Sequence, residues 1–581
     1  MDEFQLHLIK PSHYDDDGYV VQWLRSAIPS NSLAALNAIA LDSARRAALG
    51  PDVAIEIFVY DETNRRIVPE DIAAQIAAAG RGLVCLTGVQ SNQFPRALDL
   101  ARRFRAAGAE VAIGGFHVSG CLAMLPELPA ELREAQALGC SLYAGEIEGR
   151  FDALLQDAFS GQLKPLYNFL QDLPSIEGAP FPLLPAAVVA GTSGAVTSFD
   201  AGRGCPFQCS FCTIINVQGR KSRHRSADDV EAIIRANLAQ GVDSFFITDD
   251  NFARNRNWEA IFDRMIALRE RDGLHFTFII QVDTLAHRIE NFIEKAGRAG
   301  VRRVFIGLEN INPDNLIEVK KKQNRIAEYR DMLLAWKRAG CFTYAGYILG
   351  FPNDTPESIR RDISIIQREL PLDILEFFCL TPLPGSEDHQ RLAAQGVWMD
   401  PDLNKYDLEH VVTRHPRMSQ AQWEGIYQEA WRQYYSFAHM KTVMRRAAAT
   451  GVSAGHAMFL LLWFWGCVRL EKLHPLQGGY LRRKHRRDRR PGLPLENPLL
   501  FYARHGAELA FNHLRLGVMA ARLGLFRLWL KRHKAEASAY VDRALTPPTD
   551  GDLDELDLFQ HNESSRAAGE KAKRARKAAS A

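Results

Sequence analysis

Three cysteines within eight residues give the chain its densest metal-binding chemistry. The stretch "GRGCPFQCSFC" (202–212) spaces Cys205, Cys209 and Cys212 as C-x3-C-x2-C. Thiols this close read as ligands. A structural zinc could take all three with His224 as the fourth ligand, although closed zinc sites favour paired C-x2-C knuckles and no second knuckle is present. A disulfide fits a cytoplasmic chain less well still. The other candidate is a four-iron cluster. Its irons each take a thiolate, so three protein thiolates leave one iron open to a substrate or cofactor.

Composition sets the surroundings. The other six cysteines lie singly (Cys85, Cys121, Cys140, Cys341, Cys379, Cys467), and an odd total of nine without secretion features argues for reduced thiols. Cys341 and Cys379 fall in apolar strands and read as buried structural thiols. The N-terminus "MDEFQLHLIK" starts acidic and lacks a basic n-region, a long apolar core and a cleavage site, so a cytoplasmic location is expected. A formal net charge of +2 argues against a nucleic-acid partner. The balance is uneven, however: "RRKHRRDRR" (482–490) sets seven Lys or Arg against one Asp. The longest apolar run, "AMFLLLWFWGCV" (457–468), is short for a bilayer span.

The thiols need a scaffold, and the flanking periodicity supplies it. At 581 residues the chain suggests roughly three or four domains. Residues 1–160 alternate apolar runs (5–11, 53–61, 82–89, 110–117) with helical stretches such as 96–108, which predicts a parallel sheet with crossover helices. Residues 161–198 are proline-rich with little periodicity and read as a linker. Strand patterns then recur at 195–202, 244–251, 275–283, 302–310, 342–350 and 374–382, and six β/α units predict a partial barrel over 199–400 with its site at the strand ends. From 401 to 545 the pattern is helical. Residues 546–581 are polar and charged and read as a disordered tail.

"CPFQCSFC", after a strand and ahead of a β/α series, resembles the radical S-adenosylmethionine superfamily, and the resemblance covers 199–400. It implies a [4Fe-4S] cluster on Cys205, Cys209 and Cys212 whose open iron chelates S-adenosylmethionine. An electron from the cluster cleaves that cofactor to a 5′-deoxyadenosyl radical, so a one-electron donor such as flavodoxin or ferredoxin is an implied partner. Phe211 matches the aromatic near the adenine. "ITDDNF" (247–252) stands where the family often has "GGE", which makes Asp249, Asp250 and Asn251 implied contacts of the methionine moiety. Gln281 and Asp283 in "QVDTL", and Glu309 in "GLEN", fall at strand ends where ribose and amino-group contacts lie. "GYILGFPNDT" resembles the adenine-lining strand, with Ile348 and Gly350 as backbone contacts, and "LTPLPGS" (380–386) matches the sixth strand's end in one large subgroup. Taken alone, Asp249 or Glu309 reads equally well as a helix cap or loop carboxylate. No side chain is singled out as catalytic.

An α/β domain directly ahead of such a barrel resembles the superfamily's cobalamin-binding subgroup. The likeness rests on "TGVQSNQFPRALDLARRFRAAGAEVAIGGFHVSG" and "CSLYAGEIEGRF". It implies that loops 87–92, 114–120 and 145–149 cradle the corrin, through Thr87, Gly88, Ser91, Gly114, Gly115, His117, Gly145 and Glu146. The D-x-H-x-x-G signature is absent, and His117 reads either as a neighbour of the corrin face or as a loop histidine bonded to backbone.

The C-terminal half pairs apolar-aromatic with cationic stretches (457–470, 499–534). That suits a helix lying in the interface of an anionic membrane, or an ordinary helical cap on the barrel. The fold class expected is thus α/β: a Rossmann-like cobalamin-type domain, a partial (β/α)6 barrel and a mostly helical C-terminal region. The function expected is cobalamin-dependent C-methylation of a hydrophobic small molecule or lipid, in the cytoplasm or peripheral to the inner face of the membrane. The alternatives are a cobalamin-independent radical oxidoreductase or cyclase, and a non-enzymatic iron–sulfur or zinc scaffold.

Overall fold

The computed structural model describes residues 2–192, 196–549 and 551–580. The first strands are β1 (Asp2–Lys10), β2 (Gln22–Ser26), β3 (Val53–Asp61), β4 (Gly82–Leu86), β5 (Glu110–Gly114), β6 (Ser141–Ala144) and β7 (Leu166–Asn168). All but β2 form one parallel sheet, ordered β3-β1-β4-β5-β6-β7. Helices bury both of its faces. This is why "GLVCL" in β4 is apolar and buried throughout instead of alternating. The chain runs from β1 to β3 on one side and returns to β4 on the other. Open α/β sheets bind ligands beyond the strand ends at such a reversal, and the loops after β4, β5 and β6 gather there.

The second set comprises β8 (Val196–Phe199), β9 (Gly202–Arg203), β10 (Arg223–His224), β11 (Ser244–Ile247), β12 (Thr277–Val282), β13 (Val301–Glu309), β14 (Phe342–Leu349) and β15 (Ile374–Cys379). Ala195, the first residue of the expected strand, lies outside the described residues, as do positions 193 and 194 of the expected linker. Six of these strands form an open parallel sheet, β15-β14-β13-β12-β11-β8, which is the partial barrel. β9 and β10 pair antiparallel as a hairpin bracketing the thiol loop. Local chemistry starts the crossover helices: Ser226 Oγ accepts from Asp229 N at 3.0 Å while Ser226 N donates to the Asp229 carboxylate at 2.9 Å, a capping box opening the helix Ala227–Leu238.

Three C-terminal helices, Gln420–Tyr434, Phe437–Ala449 and Ala454–Gly466, share the barrel's own core through Trp423 and Trp431, Met440 and Val443, and Leu461 and Phe464 in turn. Three features differ from the sequence expectation. Part of the expected linker forms β7 and extends the first sheet. A strand, β16 (Gly479–Arg483), interrupts the helical region and pairs antiparallel with β2, so the basic run is largely spent on ion pairs: Arg482 with Asp15 at 2.8 Å and Arg490 with Asp402 at 2.7 Å. The tail expected to be disordered forms the helices Asp552–Glu555, Asp557–Gln560 and Glu563–Ser580. Its few apolar residues, Leu553, Leu556, Leu558 and Phe559, are buried against the barrel, and buried Arg330 donates to Asp552 at 2.8 Å.

The two sheets meet through buried charge. Arg203, beside the thiol loop, donates to Asp200 (3.0 Å), to Glu146 (2.7 Å) and to Glu148 (2.6 Å) of the first domain. Arg223 forks onto Glu146 at 2.6 and 2.5 Å. Burial alone would raise the Asp200 and Glu148 carboxyls, but the Arg203 charge, joined at Asp200 by that of Arg225, together with hydrogen bonds to each carboxylate outweighs it, and both lie below their ordinary values. A depressed carboxyl pKa contributes stability that is fully present above the unfolded range of about 4 and is lost as pH falls below it. Arg203→Met is therefore expected to cost about 3–5 kcal/mol in urea unfolding at pH 7, because it strands buried carboxylates. The deficit should shrink progressively below about pH 4. A deficit unchanged by acid would show that the network is not what Arg203 contributes.

Candidate functional site at the thiol loop

The thiol loop hangs between the hairpin strands and is pinned at several points. Cys205 N donates to Gly219 O at 3.2 Å, Ser210 N to Val319 O at 3.1 Å, and Ser210 Oγ to the Asp388 carboxylate at 3.1 Å. Gly204 turns the chain into the loop at φ +90°, where a Cβ would lie 2.4 Å from Lys221 O, so only glycine fits. Cys209 is buried, and Cys205 and Cys212 are half-buried. Burial, then a backbone N–H that opposes it and the Asp250 charge that adds to it, leaves the Cys205 thiol raised; burial and Asp250 push Cys212 up to about 12. A positively charged group must draw off these protons, and a metal core does so.

The sequence-predicted residues divide into two groups. Phe211 and Ile348 come together in one apolar cluster with Val319, Phe351 and Phe378. Asp250 faces open space beside the thiols, and Gln281 Nε2 donates to Asp249 O at 3.5 Å. Asp249, Asn251, Asp283 and Gly350 are spent on scaffolding. Asp249 accepts from Ala201 N and Gly202 N, both at 2.7 Å, and from Asn255 Nδ2 at 2.9 Å. Its carboxylate therefore turns back to the start of the loop. Asp283 takes a fork from Arg254 at 2.6 and 2.9 Å and accepts from Asn251 at 2.8 Å. Gly350 N donates to Asp354 at 2.9 Å, and the indole of Trp423 covers its face.

Two residues not anticipated from the sequence complete the surroundings. Lys321 is buried, pairs with Glu309 and lies 5.7 Å over the Phe211 ring. Burial lowers its pKa, but Glu309 and the Cys209 and Cys212 thiols more than offset that, so the ammonium is held charged. Gln323 Nε2 donates to Cys209 Sγ at 3.5 Å. The signal was hidden in "EVKKKQN", where three lysines read as a solvated run and only burial separates Lys321 from Lys320 and Lys322.

The donor set fits a cluster better than zinc. Among the described residues, the only His/Cys/Asp/Glu trio whose ligand atoms all lie within 4.8 Å is His117, Cys121 and Glu131. The three loop thiols are thus more widely spread, whereas thiolates on one tetrahedral zinc at about 2.3 Å sit about 3.8 Å apart. A core taking one thiolate per iron tolerates that spread. His224, the fourth ligand of the zinc reading, pairs through its backbone with Gly202 in the β9–β10 hairpin, and its Nδ1 is buried without a hydrogen-bond partner.

Across the hairpin, a cleft of about 980 Å³ including its open part lies at the reversal of the first sheet. Thr87, Gly88, Gly114, Gly115, Gly145 and Glu146 line it, and so do Arg203 and Gln218 from either flank of the thiol loop. Ser91 lies outside it and contacts His117 Nδ1 at 3.1 Å. His117 is fully buried, with Nε2 3.4 Å from Glu131, and does not face the cleft. Gly120 of the first domain meets Gly385 of "LTPLPGS" backbone to backbone, since a Cβ on Gly385 would lie 2.8 Å from Gly120 Cα.

Asp249 and Asp250 are adjacent yet differently employed, which makes them a test of the geometry. Asp249→Ala orphans two buried N–H donors and is expected to cost about 2–4 kcal/mol. Asp250→Ala should cost under about 0.5 kcal/mol. Urea unfolding of the two variants compares them directly, and equal losses would contradict the hydrogen-bond assignment.

Residues 201–366 match the Radical SAM superfamily model. Over 362 residues the chain is 27% identical to the bacteriochlorophyllide d C-12(1)-methyltransferase of Chlorobaculum tepidum, covering 61% of this chain and 74% of that protein. It is 23% identical over 366 residues to the hopanoid C-2 methylase of Rhodopseudomonas palustris, covering 62% of this chain and 66% of that one. Its fold is similar to that of TsrM, a radical S-adenosylmethionine methyltransferase of Kitasatospora setae solved with cobalamin and a [4Fe-4S] cluster, with a TM-score of 0.56 at 15% identity over 78% of this chain and 97% of that one. The chain is an enzyme carrying a Radical SAM domain at residues 201–366, and its fold is similar to that of a cobalamin-binding radical S-adenosylmethionine enzyme.

Proposed function

We propose that this protein methylates an unactivated carbon of a hydrophobic small molecule or lipid, using a [4Fe-4S] cluster, S-adenosylmethionine and cobalamin. The supporting observation is adjacency. Arg203 lines the first-domain cleft and stands two residues before Cys205, and Gln218 lines the same cleft six residues after Cys212. Two ligand sites therefore share one wall.

In this reading Cys205, Cys209 and Cys212 hold the cluster, and Phe211 and Ile348 flank the adenine. Asp250, Gln281 and Glu309 face the rest of S-adenosylmethionine. Thr87, Gly88, Gly114, Gly115 and Gly145 leave the first-domain cleft open for the corrin. When bound, the cluster and S-adenosylmethionine supply a 5′-deoxyadenosyl radical and cobalamin a transferable methyl group. Lys321 supplies the buried positive charge beside the thiolates, and the Phe211–Ile348 cluster excludes water. A one-electron donor such as flavodoxin or ferredoxin would complete the cycle.

The membrane part of the proposal rests on one helix. No helix among the described residues is long and apolar enough to cross a membrane. The helix Pro498–Arg532, however, leaves Leu500, Phe511, Leu514, Val518, Leu525 and Leu528 between 51% and 71% exposed. Steps of eleven, three, four, seven and three bring them to one side. Arg504, Arg515 and Arg522 border the stripe, as on a helix lying in an anionic lipid surface.

Anaerobic purification with hydroxocobalamin should give about four irons and one cobalt per chain. Reduction with S-adenosylmethionine should then release 5′-deoxyadenosine, and Cys209→Ala should abolish this. Iron without cobalt would favour a cobalamin-independent oxidoreductase or cyclase, and zinc in place of iron would sink the radical reading. For the membrane, the protein should sediment with vesicles of anionic phospholipid, and the double variant Leu514→Glu, Leu525→Glu should stay in solution. Equal behaviour of the two would remove the helix from the proposal.

A further inference from the structure

At the opposite end of the barrel strands from the thiols lies a second cavity, of about 900 Å³ including its open part. Its wall is almost wholly apolar, from Phe246, Ile279 and Phe342 of the barrel and from Leu460 and Trp463 of the helix Ala454–Gly466. Phe459 and Leu476 line it and are exposed, so it opens to the surface there. Toward the thiols, Phe305 and Phe378 close over Gly346, where a Cβ would lie 3.0 and 3.2 Å from their rings. The cavity is therefore distinct from the first-domain cleft and from the thiol loop.

Three polar side chains from neighbouring strands point into this apolar wall: Arg303 of β13, Tyr344 of β14 and Glu376 of β15. Glu376 is 1% exposed, and neither of its carboxylate oxygens has a hydrogen-bond partner. Among the described residues no carboxylate lies within ion-pair reach of Arg303, and burial pulls its guanidinium below the ordinary value, with Tyr344 opposing. Glu376 is thus a buried acid without a partner beside a half-buried cation without an ion pair, and a buried polar group left unpaired is costly unless something joins it. Burial raises the Glu376 carboxyl to about 8, so at neutral pH it carries a proton to donate. A guanidinium, a phenol and a protonated carboxyl all offer donors, and the group that satisfies them is an oxyanion.

We propose that this cavity is a binding site for an apolar molecule carrying a carboxylate, held by Arg303 with Glu376 and Tyr344 donating to the same group. An aliphatic body suits the lining. The ligand supplies the partner that the orphaned Glu376 lacks and a counter-charge for the half-buried Arg303.

The test is fluorescence titration of the full-length chain with cis-parinaric acid and, separately, with the corresponding alcohol. The acid should bind at least tenfold more tightly than the alcohol. Arg303→Met should remove that preference while leaving the alcohol's affinity unchanged. Glu376→Gln, whose amide still donates, should keep the acid within about threefold. Arg303→Lys keeps a cation should the methionine variant fail to fold, and it should retain part of the preference. Equal binding of acid and alcohol, no binding of either, or a preference that survives Arg303→Met would each overturn the proposal. Release of 5′-deoxyadenosine from the same preparation reports on the radical chemistry separately, so the two readings fail independently.

Discussion

A guanidinium held by three carboxylates from two domains fixes where the thiol loop stands. Arg203 sits in β9, its partners Glu146 and Glu148 follow β6 of the first sheet, and Asp200 follows β8 of the second. With Arg223 and Arg225 the set balances three cations against three anions. Removing these charges from water is repaid only when the ion pairs form with good geometry, so the domains dock in one arrangement instead of sliding over one another. Because Arg203 lies two residues from Cys205, that arrangement is passed directly to the thiols. The glycine pair Gly120 and Gly385 works in the same sense from the other side, allowing a backbone approach that any side chain would hold open.

The charge around the thiols is set by the strand that passes beneath them. The pairing of β13 with β14 shifts register between Ile306 and Glu309, and Glu309 adopts φ +59° at the strand's end. A non-glycine residue in that region is strained and persists where the surroundings over-determine it. Here the ion pair with Lys321 does so, and it brings one buried cation to the thiols' side while Asp250 stays on the open side. An assembly of thiolates needs such a counter-charge, and the backbone strain at Glu309 is part of its cost.

Much of this was legible in the sequence because it is local. Thiol spacing, the alternation of apolar runs with amphipathic stretches, and glycine at strand ends are each written within a few residues. The first sheet, the six-stranded barrel and the cleft-lining glycines follow from them. What was not legible depends on distant partners. β16 reads as a basic run because its pairing with β2 and Asp15 lies more than four hundred residues away in the chain. Asp249 reads as a ligand contact because sequence cannot say which way a carboxylate turns, and it turns toward the Ala201 and Gly202 amides. His117 sits in a glycine-rich loop motif yet its ring nitrogens face Ser91 and Glu131. The terminal segment has a polar composition, but four apolar side chains suffice to dock it because the barrel supplies the complementary surface.

The treatment of buried charge elsewhere in the molecule gives the second cavity its meaning. Lys337 is fully buried and meets Asp373, Arg96 meets Glu62 at 2.6 Å, and Arg330 meets Asp552 at 2.8 Å. Each is an ion pair that folding alone completes. Arg303 and Glu376 lie in the same barrel as Lys337 and Asp373, but on β13 and β15, which β14 separates. Yet both oxygens of Glu376 remain unmet, which among the described residues is true of no other buried carboxylate. Where those ion pairs close within the fold, Glu376 stays wholly unmet, which leaves its partner to come from outside the chain, and the apolar walls around it determine what kind of molecule that partner is.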